Sequence, residues 1–391
     1  MAFFGGKTDV KKGDMFYAWT TDADIAKKAE CGGAVTSLLK YALENKMVDA
    51  VLAVKKGSDL YDAIPTIITD PKKIGTTSGS LHCGSLLQSK LVKDYFDGAK
   101  TRKLGITVKG CDLMGILEIA KRGEIKLDNL LMIGVNCGGT VSPVAARKMI
   151  EAKYGVDPDK VTKEEIDKGQ FIIEYEGGHK GIKMDDLEEE GYGRRSNCRR
   201  CLYKIPRQAD LACGNWGVIG DKAGKATFVE VCSDKGADLL AKAIKAKAVE
   251  VSAPDAKGIE IRGKTEGAMI KLGQKWRKKD FSAISPKLWE VIAEETGRCI
   301  KCYTCIDKCP VCFTVADMLK QDSPMIRRGV IPADPMFHLR RFAHISDSCI
   351  NCGQCEELCP MDIPLALFGN AIREEADRAF APKLGKATYT N

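Results

Sequence analysis

The chain has 391 residues, 44% of them hydrophobic, and a formal charge of +8, a size that accommodates two or three domains with a large core. No run approaches the ~18 consecutive apolar residues of a membrane span, and the opening MAFFGGKTDVKK lacks the apolar core of a secretory signal, so a cytoplasmic protein is expected. In a reducing cytosol its 17 cysteines argue for thiolate-bound metal over disulfides.

Up to about Val251, short apolar strands alternate with amphipathic helices, which predicts an α/β domain over residues 1–251. A helix is expected from Ala34 to Leu43, directly after the Gly32–Gly33 pair. Strands are expected at Ala50–Val54 and Ile64–Ile68, followed by the hydroxyl-rich Thr76–Thr77–Ser78. Two further strands end in cysteine. Leu104–Val108 runs into Lys109, Gly110 and Cys111, and Leu130–Val135 runs into Asn136 and Cys137. In an open parallel sheet, residues just past the carboxyl ends of strands line the ligand crevice, so neighbouring strands would bring Cys111 and Cys137 together. The segment NCRRC adds Cys198 and Cys201. A CxxC pair alone suits a redox dithiol or half a zinc site; with two strand-end cysteines it completes a four-thiolate set.

Residues 252–297 are polar and rich in Gly and Lys, and read as a linker with one basic helix around Lys271–Lys279. A small helical module then covers residues 298–391. Cys299, Cys302, Cys305 and Cys309 have spacing x2, x2, x3 and precede Pro310; Cys349, Cys352, Cys355 and Cys359 repeat this before Pro360. Three closely spaced thiolates wrap one cubane, but the loop cannot turn tightly enough to supply the fourth, which goes to the other cluster. Cys299, Cys302, Cys305 and Cys359 are therefore expected on one 4Fe–4S cluster, and Cys349, Cys352, Cys355 and Cys309 on a second. Paired zinc sites are the alternative, although these usually lack the x3-Cys-Pro ending. The helical stretches FTVADMLKQ and FHLRRFAHI between the runs resemble the α-helical ferredoxin modules of heterodisulfide reductase and succinate dehydrogenase. Cys312 reads as a buried free thiol, and His338 and His344 as structural residues. The tail ALFGNAIREEADRAF is expected to be an amphipathic helix.

Three cubanes with four thiolates each would contribute about −6, leaving the loaded protein near about +2. The positive charge is thus no signal for nucleic acid.

The pieces GGAVTSLL (Gly32–Leu39), TTSGS (Thr76–Ser80), GCDLMGI, GVNC, NCRRC and QADLACGNWG, spread over most of residues 25–220, resemble the β-subunit family of coenzyme F-420-reducing hydrogenases and F-420-dependent formate dehydrogenases. The resemblance implies a bound FAD that exchanges hydride with coenzyme F-420 as substrate. It also implies a 4Fe–4S cluster on Cys111, Cys137, Cys198 and Cys201, the set already suggested by spacing, for three clusters in all. Cys31, Cys83, Cys213 and Cys232 are expected to be bystanders. For FAD, the Gly32–Gly33 turn at a helix start suits a pyrophosphate, with Thr36, Thr76, Thr77, Ser78 and Lys109 as further candidates. A Gly-Gly helix start by itself is equally a packing feature. The basic residues Arg194, Arg195, Arg199 and Arg200 have three readings: offsetting cluster charge, meeting the anionic tail of F-420, or forming a solvated face.

The double-cluster module resembles the formate dehydrogenase branch. The chain displays no recognisable molybdopterin or formate motif, so the expected partner is a catalytic α subunit with a molybdenum or tungsten site. A larger assembly with heterodisulfide reductase is left open. The alternatives are the β subunit of a hydrogenase-type F-420 oxidoreductase, or a non-enzymatic iron–sulfur adaptor.

Overall fold

The structure, a computed structural model, describes residues 9–84, 86–320, 327, 330–332 and 334–384. Its strands are β1 (Met15–Thr20), β2 (Ala50–Lys56), β3 (Ala63–Ile68), β4 (Leu104–Val108), β5 (Leu130–Val135), β6 (Val161–Asp167), β7 (Gln170–Tyr175), β8 (Gly178–Lys183), β9 (Leu211–Gly214), β10 (Thr227–Val231) and β11 (Val249–Ser252). The helices used below are α1 (Ala34–Glu44), α2 (Gly110–Lys121), α3 (Asp234–Lys245), α4 (Ala256–Ile284), α5 (Leu288–Gly297), α6 (Pro335–Ile345) and α7 (Leu365–Leu384).

Eight strands form one mixed sheet in the order β11-β1-β10-β9-β5-β4-β2-β3. Its centre is parallel, with β2 beside β4, β4 beside β5, and β5 beside β9. Such strands are buried on both faces and read as continuous apolar runs, as LGITV and LLMIGV do. One face packs on α1 and α3 through Leu38, Leu39, Leu239 and Leu240, and the other on α2 through Leu113, Ile116 and Ile119. β4 and β5 pair from Leu104↔Leu130 to Val108↔Gly134, so both strands end side by side. A separate antiparallel sheet, β6-β7-β8, is inserted between β5 and β9 and has its own core around Phe171, Ile173 and Leu187.

The helix expected around Lys271–Lys279 is much longer. α4 runs for 29 residues and α5 follows it, so residues 256–297 are almost wholly helical. The residues α4 buries include Arg262 and Glu266, which is why its sequence shows little apolar periodicity. Both charges are paired. Arg262 donates through Nε to Glu230 on β10, and Arg207 donates to both Glu230 and Glu266. The helix is thereby fastened to the sheet.

Beyond it, α6 and α7 pack Phe337, Phe342, Ile345 and Phe368 around Ile306 and Cys312. The C-terminal module meets the α/β domain at residues 195–197. Arg195 donates to Glu357 at 3.0 Å and Ser196 to Glu356. Asn197 and Asn351 each donate a side-chain N–H to the other's backbone carbonyl, at 3.2 and 2.9 Å.

Candidate metal centres and cofactor site

The adjacent ends of β4 and β5 bring Cys111 and Cys137 to one place. The chain crosses that place again at residues 198–204. The Cys137 N–H donates to the Lys204 carbonyl at 2.9 Å, and Thr140 Oγ1 lies 3.8 Å from Cys198 Sγ. The thiols of Cys137, Cys198 and Cys201 sense one another, as do those of Cys111, Cys137 and Cys201. Burial pushes the Cys137 thiol up to about 11. Burial acts most strongly on Cys198, but Arg195, the Thr140 hydrogen bonds and Lys204 together outweigh it and hold that thiol below its ordinary value. These four thiols, drawn from three separate segments, form one group.

Cys309, Cys349, Cys352 and Cys355 line a single small cavity together with Arg341. The fourth cysteine of the first run has crossed to the second. Reciprocally, Cys359 stands with Cys299 and Cys302, and Cys305 faces both of those. Cys302 is exposed. Among the described residues, no three His, Cys, Asp or Glu side chains close on a single metal ion. Thiolates at ~2.3 Å from one zinc crowd together, whereas a cubane holds its four cysteines apart by its own bulk. The donor set is all sulfur, as a 4Fe–4S cluster requires.

Cys312 is buried beside Cys309, and its hydrogen bond is the foremost cause holding the Cys309 thiol down at about 6. His344 Nε2 reaches Thr314 Oγ1 at 3.0 Å. His338 is sealed against Phe337 and Phe342 with neither ring nitrogen partnered among the described residues. Burial, then Arg341 and Lys301, push it down to about 3, so it is neutral.

The four basic residues do not form a solvated face. Arg194 clasps Glu188 and donates to the Gly138 carbonyl at 3.0 Å. Arg195 binds Glu357, Arg199 lies 4.6 Å from the Trp276 ring centroid, and Arg200 donates to Asp280. Arg195 also faces Cys198 and Cys352, which belong to different thiol groups.

The FAD candidates divide. Gly32 and Gly33 have φ of +73° and +69°, and a Cβ on Gly32 would lie 2.6 Å from the Ala226 backbone. The turn therefore requires glycine for its own packing. Gly33 caps α1 without any side-chain hydrogen bond, and no acidic residue occupies the first turn, so that helix start suits an anion. Thr36 is buried in the same turn. The loop of Thr76 to Ser78 lies close by, since Ser78 Oγ donates to the Ile25 carbonyl at 3.1 Å. Thr76 and Thr77 donate to the carbonyls of Lys73 and Ile74. A phosphate oxygen accepts and cannot donate, so these three hydroxyls serve one only by turning away from those carbonyls. Lys109 stands with the cysteines, its Nζ 2.6 Å from Asp112 and 3.2 Å from the Leu86 carbonyl. Burial lowers its basicity, but Asp112 and Cys111 outweigh that and keep it charged.

Models of the coenzyme F-420 hydrogenase/dehydrogenase β subunit match residues 15–93 for its N-terminal part and 101–257 for its C-terminal part. The chain belongs to this family. A 4Fe–4S dicluster domain model matches residues 295–363, over the twin cysteine runs. Among relatives of this β-subunit family, the F-420-dependent formate dehydrogenase subunit β of Methanocaldococcus jannaschii is 51% identical over 348 residues, 88% of this chain and 89% of its own. The F-420-dependent formate dehydrogenase 1 subunit β of Methanococcus maripaludis is 49% identical over 374 residues, 95% of each chain. The coenzyme F-420 hydrogenase subunit β of Methanococcus voltae is 28% identical, covering 60% of this chain and 81% of its own. A chain of the F-420-reducing nickel–iron hydrogenase complex from Methanosarcina barkeri shares the fold, with a TM-score of 0.58 at 21% identity over 71% of this chain and 95% of that one. No described helix is long and apolar enough to cross a membrane.

Proposed function

We propose that this chain is the electron-carrying β subunit of a coenzyme F-420-dependent formate dehydrogenase, relaying electrons between coenzyme F-420 and an α subunit that holds the molybdenum or tungsten site. The observation that carries this reading is the sorting of twelve cysteines into three groups of four, two of them built by exchange of the fourth residue. Cys111, Cys137, Cys198 and Cys201 would hold one 4Fe–4S cluster. Cys309, Cys349, Cys352 and Cys355 would hold the next, and Cys299, Cys302, Cys305 and Cys359 the last.

When bound, FAD supplies the conversion between a two-electron hydride and single electrons. The chain's part is to place and orient. Gly32, Gly33 and the open start of α1 offer backbone N–H groups to the pyrophosphate. Lys109, held by Asp112, keeps a positive charge beside Cys111. The reciprocal Asn197–Asn351 bonds fix the first thiol group against the second. Cys201 and Cys349 line one and the same cleft. At the far end, exposed Cys302 puts the last group within reach of the α subunit.

Relatives named as formate dehydrogenase β subunits match 88% and 95% of the chain, whereas the Methanococcus voltae hydrogenase β subunit matches 60%. That supports the formate dehydrogenase branch over the hydrogenase type. Formate itself is handled by the α subunit, so formate alone should leave this chain oxidised. The test is anaerobic stopped-flow mixing of the FAD-loaded chain, followed at the flavin band. Reduced F-420 should bleach it rapidly and NADH or NADPH far more slowly. Rapid bleaching by NADH, or none by reduced F-420, would overturn the proposal.

A further inference from the structure

Among the described residues, Arg341 is the largest fully buried side chain, with 0% exposure. One guanidinium N–H, on Nη2, donates to the Cys305 carbonyl at 3.4 Å, while Nε and Nη1 have no hydrogen-bond partner among the described residues. A buried guanidinium normally faces a carboxylate, because an isolated charge in a dry interior is prohibitively costly. No described carboxylate pairs with Arg341. It is walled by Phe342 and lines the cavity shared by Cys309, Cys349, Cys352 and Cys355. The charged or ionisable groups that press on it most are Cys305, Cys312, Cys355 and Cys309. Cys305 belongs to one thiol group, while Cys355 and Cys309 belong to the other.

We infer that Arg341 is a fixed cation shared by the two C-terminal clusters, donating its unpartnered N–H groups to their sulfurs and raising the reduction potential of both together. The inference rests on the reading of the twin runs as cluster ligands. Each cubane with four thiolates is an anion that gains one more negative charge on reduction. A permanent positive charge close by, in a medium where water does not screen it, favours the reduced form. Hydrogen bonds to cluster sulfurs act in the same direction. Because Arg341 lies between the two groups, its effect falls on both, keeping their potentials near each other so that neither becomes a trap. The group at Cys111, Cys137, Cys198 and Cys201 has Arg195 and Lys109 beside it and does not depend on Arg341.

The test is potentiometric titration of the full, anaerobically purified chain followed by electron paramagnetic resonance, with iron counted on each sample. Arg341→Met should lower the reduced-to-oxidised ratio of both C-terminal clusters at least tenfold at fixed applied potential, a shift of about 59 mV for a one-electron couple. The remaining cluster should not move. Arg341→Lys, which keeps the charge but not the fork, should lie between Met and wild type. Loss of C-terminal iron in the Met variant with retention in the Lys variant also supports a charge role. Full iron with unmoved potentials in Arg341→Met overturns the inference, as does equal loss of iron in both variants, which would make the role one of shape. Absence of iron from the wild-type chain would instead sink the cluster reading itself.

Discussion

Gly353→Ala tests whether the junction between the α/β domain and the C-terminal module depends on direct backbone approach. Gly353 has φ of +75°, and a Cβ there would lie 2.4 Å from Asn197 Cγ and 2.9 Å from Arg195 Nη2. Ordinary carbon contact begins near ~3.5 Å, so the Asn197 side chain must retreat by about 1 Å. It cannot retreat freely, because its amide is bonded to the Asn351 carbonyl. The left-handed backbone costs about 1–2 kcal/mol and the clash about 1–3 kcal/mol more. Gly155→Ala carries the first cost alone: Gly155 has φ of +61° with nothing within 4 Å of a Cβ. Hydrogen exchange in residues 195–200 and 351–357 should therefore quicken roughly 30- to 4,000-fold in Gly353→Ala and stay unchanged in Gly155→Ala. Equal exchange at the junction in both variants would refute the argument.

The purified chain should carry about twelve irons and twelve sulfides; a count near eight removes the strand-end cluster, and stoichiometric zinc removes the ferredoxin reading. Cys198→Ala should leave the two C-terminal clusters assembled and the flavin reducible by F-420, with cluster reduction slow or absent. Reduction at the wild-type rate would mean the relay order is wrong. Burial pushes the Glu230 carboxyl up, but Arg207 and Arg262 outweigh it and hold it below its ordinary value of 4.5. A depressed carboxylate stabilises the fold above its unfolded value and loses that contribution as pH falls. Glu230→Gln should therefore cost about 3–5 kcal/mol at neutral pH by stranding Arg262. Its urea midpoint should also fall less steeply than wild type below pH 4.5, and parallel pH profiles would contradict this.

What was legible in the sequence was whatever local periodicity or spacing encodes. LGITV and LLMIGV announce buried parallel strands, and the cysteines behind them follow from where such strands end. The exchange of Cys309 and Cys359 follows from loop stiffness. The long α4 was not legible at full length, because Arg262 and Glu266 find partners at Glu230 and Arg207, 32 and 59 residues away. The roles of Arg194, Arg195, Arg199 and Arg200 were left open for the same reason, Arg195 and Glu357 being 162 residues apart. Thr76, Thr77 and Ser78 looked available because hydroxyls are polar, yet each finds a carbonyl within the protein. Arg341 did leave a signal: it falls on the apolar stripe of Phe337 and Ile345, one turn from each, where a charge needs an explanation.

The exchanged fourth cysteines carry a consequence for assembly. If Cys309 serves the second proposed cluster and Cys359 the first, the 39 residues between the runs are tied at both ends by inorganic staples. Releasing either cluster would then free one end of the same loop and slacken the ligands of the other. Loading is then coupled to folding of the whole module, so under iron scarcity chains should partition into full and empty modules, with singly loaded ones rare.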